Sequence, residues 1–114
     1  MIKIDNIRTL ALSFPEATEE PHFEKNSFRV KKKIFATHDT SNNRLTIKLS
    51  EADQNLFSLI DKNVIYAVDN KWGKQGWTIV ELSKVSEEVL KDALATAYCE
   101  VAPKKLADMV RNEE

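Results

Sequence analysis

Apolar and polar residues follow two different rhythms along this chain. Near the start, Ile4, Ile7, Leu10, Ala11 and Phe14 recur at helical spacing. This predicts a first helix over 4–13, ended by Pro15. The stretch from Pro15 to Pro21, with Glu16, Glu19 and Glu20, reads as an acidic loop. The period then shortens to two. Residues 22–30 read as a strand, Lys31 to Lys33 as a turn, and 34–38 as a second strand. After a polar cluster at 39–43, Leu45, Ile47 and Leu49 alternate with Arg44, Thr46 and Lys48 in a third strand. Ser50 is a helix cap, with Asp53 three residues on, and opens a short helix over 51–60. A β-branched strand at 64–68 and another at 77–82 flank a loop holding Gly73 and Gly76. Ser86 starts a long helix to about Val101, Pro103 breaks it, and 104–111 adds a short last helix.

Helix, three strands, helix, two strands, helix is an α+β order. Hairpin connections make the sheet antiparallel, and the helices are expected mainly on one face, as a two-layer sandwich. Leu90, Ala93, Leu94, Ala97, Tyr98 and Val101 form an apolar stripe that predicts packing of the long helix on the sheet. If Phe28, Val30, Leu45, Ile47 and Leu49 point toward that helix, Arg29, Arg44 and Lys48 point to the opposite face, which is left open.

A length of 114 residues predicts one domain over 1–114. With 42% apolar and 31% charged residues it has the composition of a soluble globular protein. No apolar run nears the roughly 20 residues of a membrane span, so no membrane partner is expected. The first residues lack the apolar core of a signal peptide. The single cysteine, Cys99, cannot close an intramolecular disulfide, which fits a reducing cytoplasm. A cytoplasmic monomer is expected.

Net charge is −1, but it is unevenly spread. Residues 25–50 carry seven basic side chains against one acid, a block of +6 inside an otherwise acidic chain. Local fields of this kind matter more than the mean charge for docking a polyanion. Two segments read as hairpins with basic tips: Lys31, Lys32 and Lys33 on the first, and Lys71, Trp72 and Lys74 on the second. The lysines either neutralise phosphates or form solvated turns. Trp72 either stacks on a base or folds back on the sheet edge. Trp77 has a packing role, and Gly73 and Gly76 serve turn geometry, since their spacing fits no nucleotide-binding loop. The candidate nucleic-acid contacts are Arg29, Lys31, Lys32, Lys33, Arg44, Lys48, Lys71, Trp72 and Lys74. His22, His38 and Cys99 lack zinc-site spacing. The two histidines read as structural hydrogen-bonding residues and Cys99 as a peripheral thiol. Glu16, Glu19 and Glu20 read as a solvated loop. No cofactor, metal or catalytic set is expected.

Several ordered pieces resemble the MmcQ/YjbR-like family of small bacterial proteins. They are Leu12-Ser13-Phe14-Pro15-Glu16-Ala17-Thr18-Glu19-Glu20, His22-Phe23, Ser27-Phe28-Arg29-Val30 and Lys33-Ile34-Phe35-Ala36-Thr37. Ile47-Lys48-Leu49, Gly76-Trp77, Ala97-Tyr98 and Val101-Ala102-Pro103-Lys104-Lys105-Leu106 continue the match. The resemblance implies a CyaY-like fold, similar to frataxin, and a DNA-binding role through a "double-wing" arrangement of hairpins. It brings no catalytic residues. Relatives often have a glycine in the first tip, where this chain has Lys31-Lys32. The first reading is therefore a non-catalytic DNA-binding protein with two basic wings. The alternative is a protein–protein adaptor or chaperone-like module that uses the open sheet face. An enzyme or metal carrier ranks last.

Overall fold

The computed structural model describes residues 4–111. Six strands form one antiparallel sheet: β1 (Ala17–His22), β2 (Lys25–Val30), β3 (Lys33–Asp39), β4 (Arg44–Lys48), β5 (Ile65–Ala67) and β6 (Trp77–Glu81). Five helices accompany it: α1 (Ile4–Leu12), α2 (Glu51–Ile60), α3 (Lys71–Lys74), α4 (Glu87–Val101) and α5 (Lys104–Arg111). The strand order is β1-β2-β3-β4-β6-β5. The chain thus meanders through four strands, crosses by α2 to the far edge, and returns with β6 beside β4. The α+β class and the antiparallel sheet agree with the alternation in the sequence.

The core lies between the sheet and α4, which crosses β3 and β4. Phe28, Val30, Leu45, Ile47 and Leu49 are all buried, as their spacing predicts, and so are Leu90, Ala93, Leu94, Ala97 and Tyr98 on α4. Each large side chain so buried contributes roughly 1.5–3 kcal/mol. A β-bulge in the β2–β3 pairing, between Phe28 and Arg29, sends two successive residues, Phe35 and Ala36, into this core. Phe35 there meets Tyr98 edge-on at 5.5 Å, and Phe14 stacks on the same tyrosine at 4.9 Å. The Tyr98 hydroxyl donates to the Pro15 carbonyl at 2.6 Å and pins the α1–β1 connection to α4. Both predicted serine caps form: Ser50 Oγ accepts from Asp53 N–H and Ser86 Oγ from Val89 N–H.

Three expectations are corrected. The acidic segment after Pro15 is not a loop but the edge strand β1, paired with β2 along its whole length. An edge strand needs only one paired side and half a covered face, so its apolar alternation is faint. Its charges are also engaged: Arg8 binds Glu19 at 2.7 Å, Lys31 binds Glu16 at 2.6 Å, and Arg29 lies 3.7 Å from Glu20. Second, the strand expected at 22–30 is divided by a two-residue turn at Phe23 and Glu24, with His22 paired to Lys25. Third, the glycine segment is not a bare hairpin tip. It forms the single helical turn α3, capped by the Asn70 side chain on the Trp72 N–H. Gly73 is required because a Cβ there would stand 1.9 Å from the Val68 carbonyl oxygen. At Gly76, with φ 105°, a Cβ would stand equally close to the Leu49 carbonyl oxygen.

Candidate nucleic-acid interface

Antiparallel order brings both basic segments to the same end of the sheet. The β2–β3 turn and the α3 turn that leads into β6 both lie there, next to the exit of β4. At strand spacings of about 4.8 Å, the two tips stand roughly 14 Å apart. Lys31 and Lys32 are the central residues of the first tip, with φ of 50° and 71°. Positive φ at both is the type I′ pattern, which favours asparagine and glycine. The Lys31 ammonium is held by Glu16. Among the described residues Lys32, Lys33, Lys71 and Lys74 form no ion pair. Lys71 Nζ sits 5.6 Å from the Trp72 ring centroid, a cation–π contact.

Arg29, Arg44 and Lys48 lie on strand faces opposite the core, as the alternation predicts, but each is engaged. Arg29 donates to Ser27 Oγ at 2.9 Å and faces Glu20. Arg44 binds Glu81 at 3.1 Å, Tyr66 donates to the same carboxylate, and Lys48 donates to the Gln75 carbonyl. Burial alone would push the Glu81 carboxyl up. The hydrogen bonds from Tyr66 and Arg44, with the Arg44 charge, outweigh it and hold Glu81 below its ordinary value. The face is thus a surface of matched charges rather than of free cations.

A groove of about 810 Å³ runs over this open face. Its floor is Ile34, Thr37, Thr46, Ile79 and the half-buried ring of Trp77. One end is closed by the β1–β2 turn with His22, Phe23 and Lys25, the other by Trp72. Trp72 is 49% exposed, so it does not fold back into the core, and Trp77 packs on the open face rather than inside. Phe23 is 94% exposed. Sequence reasoning missed Phe23, His22, Lys25 and the Ile34 and Ile79 floor. Phe23 and its neighbours were hidden by reading 22–30 as one strand. Recognising Ala17–His22 as a strand would have placed Phe23 in the turn.

The remaining candidates are dispersed. His22 packs edge-on against Phe23 at 4.7 Å. His38 is buried at 2% exposure between the sheet and its helices, and its Nε2 has no hydrogen-bond partner. Only a structural place, not the expected hydrogen bonding at that nitrogen, holds for His38. Burial pushes its imidazole below the ordinary value, and the Arg8 charge adds to this against Asp39 and Glu19. Cys99 is half-buried rather than peripheral, and its thiol lies 3.8 Å from the Ala107 carbonyl, because α5 packs against that side of α4. No group of three or more His, Cys, Asp or Glu among the described residues is placed to hold a metal ion. No described helix is long and apolar enough to cross a membrane.

Comparisons with known proteins agree with this architecture. The crystal structure of Deinococcus radiodurans protein DR2400, described as the family-model domain DUF419, superposes with a TM-score of 0.78. The similarity covers 99% of this chain and 88% of that one at 24% identity, which speaks for a shared fold. No curated protein matches the chain. The YjbR family model matches residues 12–100, from the end of α1 through nearly all of α4. That span contains the whole sheet and both basic segments, and the chain belongs to the YjbR family.

Proposed function

We propose that this protein is a non-catalytic nucleic-acid-binding module whose contact surface is the lysine-bearing end of the sheet and the open face beside it. One observation carries the reading. Lys32 and Lys33 on one tip and Lys71 and Lys74 on another share one end of the sheet, without ion pairs among the described residues. Two cationic points about 14 Å apart suit a charged backbone better than a compact anion. Arg29 and Arg44 neutralise Glu20 of β1 and Glu81 of β6, and Lys31 neutralises Glu16 just before β1, so that the face does not repel phosphate; Lys48 is held by the Gln75 carbonyl.

The test is binding of labelled single-stranded and duplex oligonucleotides, read by anisotropy across a salt series. Four phosphate contacts give a log–log slope of about −3 to −4. Replacing Lys32 and Lys33 with alanine flattens it by about 1.4 to 1.8 units, whereas Lys31→Ala, which frees Glu16, changes it least. Absence of binding at low salt would overturn the reading. The apolar floor of Ile34, Trp77 and Ile79 favours a second reading, a protein adaptor docking on the same face, and a salt-insensitive protein complex would support it.

A further inference from the structure

We infer that the groove on the open sheet face seats unpaired bases of a single-stranded nucleic acid between Phe23 and Trp72. The inference rests on the nucleic-acid reading above and narrows its ligand. Phe23 is the first argument. A phenylalanine with φ of 59° in a two-residue turn occupies the position where glycine is cheapest, and its ring is 94% exposed. Among the described residues its one ring contact is with its neighbour His22, so the core gains nothing from an aromatic there. Strained, exposed residues of this kind concentrate at binding sites. The turn holds the ring at the rim of the groove, with Trp72 at the other end.

The second argument is chemical pattern. At each end an aromatic ring is accompanied by a cation: Phe23 by Lys25 two residues on, and Trp72 by Lys71 at 5.6 Å. Ring beside cation is the complement of base beside phosphate. The face between them is apolar and hydroxyl-bearing, with Ile34, Thr37, Thr46, Trp77 and Ile79. The carboxylates of Glu20 and Glu81 on that face are paired with Arg29 and Arg44, leaving Glu24 as the one acid lining the groove. Four strand spacings across the sheet and about five residues along it give a diagonal of roughly 25 Å, room for an extended strand of about four nucleotides, the lower end of known single-strand sites. A duplex keeps its base faces stacked inside and has nothing to offer two exposed rings.

The experiment compares a labelled 12-nucleotide oligo-dT with a blunt 12-base-pair duplex, for wild type, Phe23→Ala and Trp72→Ala. Each substitution is expected to weaken oligo-dT binding by about 5- to 150-fold and duplex binding by less than about twofold. Phe23→Tyr and Trp72→Phe are expected to keep most of the affinity. Both side chains are exposed, and a thermal melt of each variant checks that it folds. Oligo-dT binding that neither alanine weakens would overturn the inference. Binding of duplex alone would overturn it while leaving the proposed function standing. Binding of neither probe would overturn both.

Discussion

Replacing Tyr98 with phenylalanine removes one hydroxyl and keeps the ring, which isolates the contact that ties α4 to the start of β1. The ring stays stacked on Phe14 at 4.9 Å and edge-on to Phe35 at 5.5 Å, so packing is conserved. What is lost is the 2.6 Å hydrogen bond to the Pro15 carbonyl. A typical bond of this kind contributes about 1 kcal/mol net, and a buried carbonyl left without a partner costs about 1–3 kcal/mol. Pro15 is only half-buried, so water recovers part of that cost. The expected loss is about 1–2 kcal/mol. At an m-value of about 1.5 kcal/mol/M in urea, the midpoint falls by roughly 1 M with m unchanged. Tyr98→Ala also removes the ring and is expected to cost about 3–5 kcal/mol. The assay is urea unfolding followed by far-UV dichroism, with amide exchange along Ala17–His22. Loss of the tether exposes β1 first, so its amides exchange faster than those of β4. A midpoint shift below about 0.2 M for Tyr98→Phe would show that this hydrogen bond does not hold the edge strand.

Leu94 is fully buried on the inner face of α4, and Leu94→Ala is expected to destabilise by about 2–5 kcal/mol in the same assay; a loss under about 0.5 kcal/mol would contradict the packing. Lys32→Gly relieves the positive φ of the first tip, worth about 1–2 kcal/mol for an L-residue, against about 0.5–1 kcal/mol of extra chain entropy. A small net gain in melting temperature is expected, and a clear loss would refute the strain argument. His38 predicts acid sensitivity. Its folded pKa lies below the unfolded value near 6.5, so the unfolded chain takes the proton first as pH falls. This contribution to stability is complete above about pH 6.5 and is lost as pH drops from there toward the folded pKa. Unfolding free energies at pH 7.5 and 5.5 should therefore differ more for wild type than for His38→Leu, and equal differences would remove His38 as the cause.

Much of the fold is written in local pattern. The 3.6-residue stripe of α4 and the two-residue alternation of β4 each bury a continuous face, so their spacing alone determines what points inward. Ser50 and Ser86 mark helix starts because the capping bond is made within three residues of the same chain. The α+β class and the core set of Phe28, Leu45, Ile47 and Leu94 follow from such local rules. The basic part of the candidate site is equally visible, since Lys31, Lys32 and Lys33 and Lys71 and Lys74 stand out as charged tips.

Tertiary structure decided what depends on partners distant in sequence. β1 exists because β2 pairs with it, and its residues, four of them polar or proline between Thr18 and Pro21, carry no strand signal of their own. The α3 turn brings residue 73 against the Val68 carbonyl, and that approach, not local sequence preference, is why a glycine stands there. Which cations are left for a ligand was likewise undetermined. Arg44 meets Glu81, 37 residues away, and Lys31 meets Glu16, 15 residues away, only once the sheet has set its strand order. The groove has the same origin. Phe23 and Trp72 stand 49 positions apart in the chain and face one another across the open face because β6 returns to lie between β4 and β5. Local spacing sets which side of an element is apolar, but long-range pairing alone sets which sides meet.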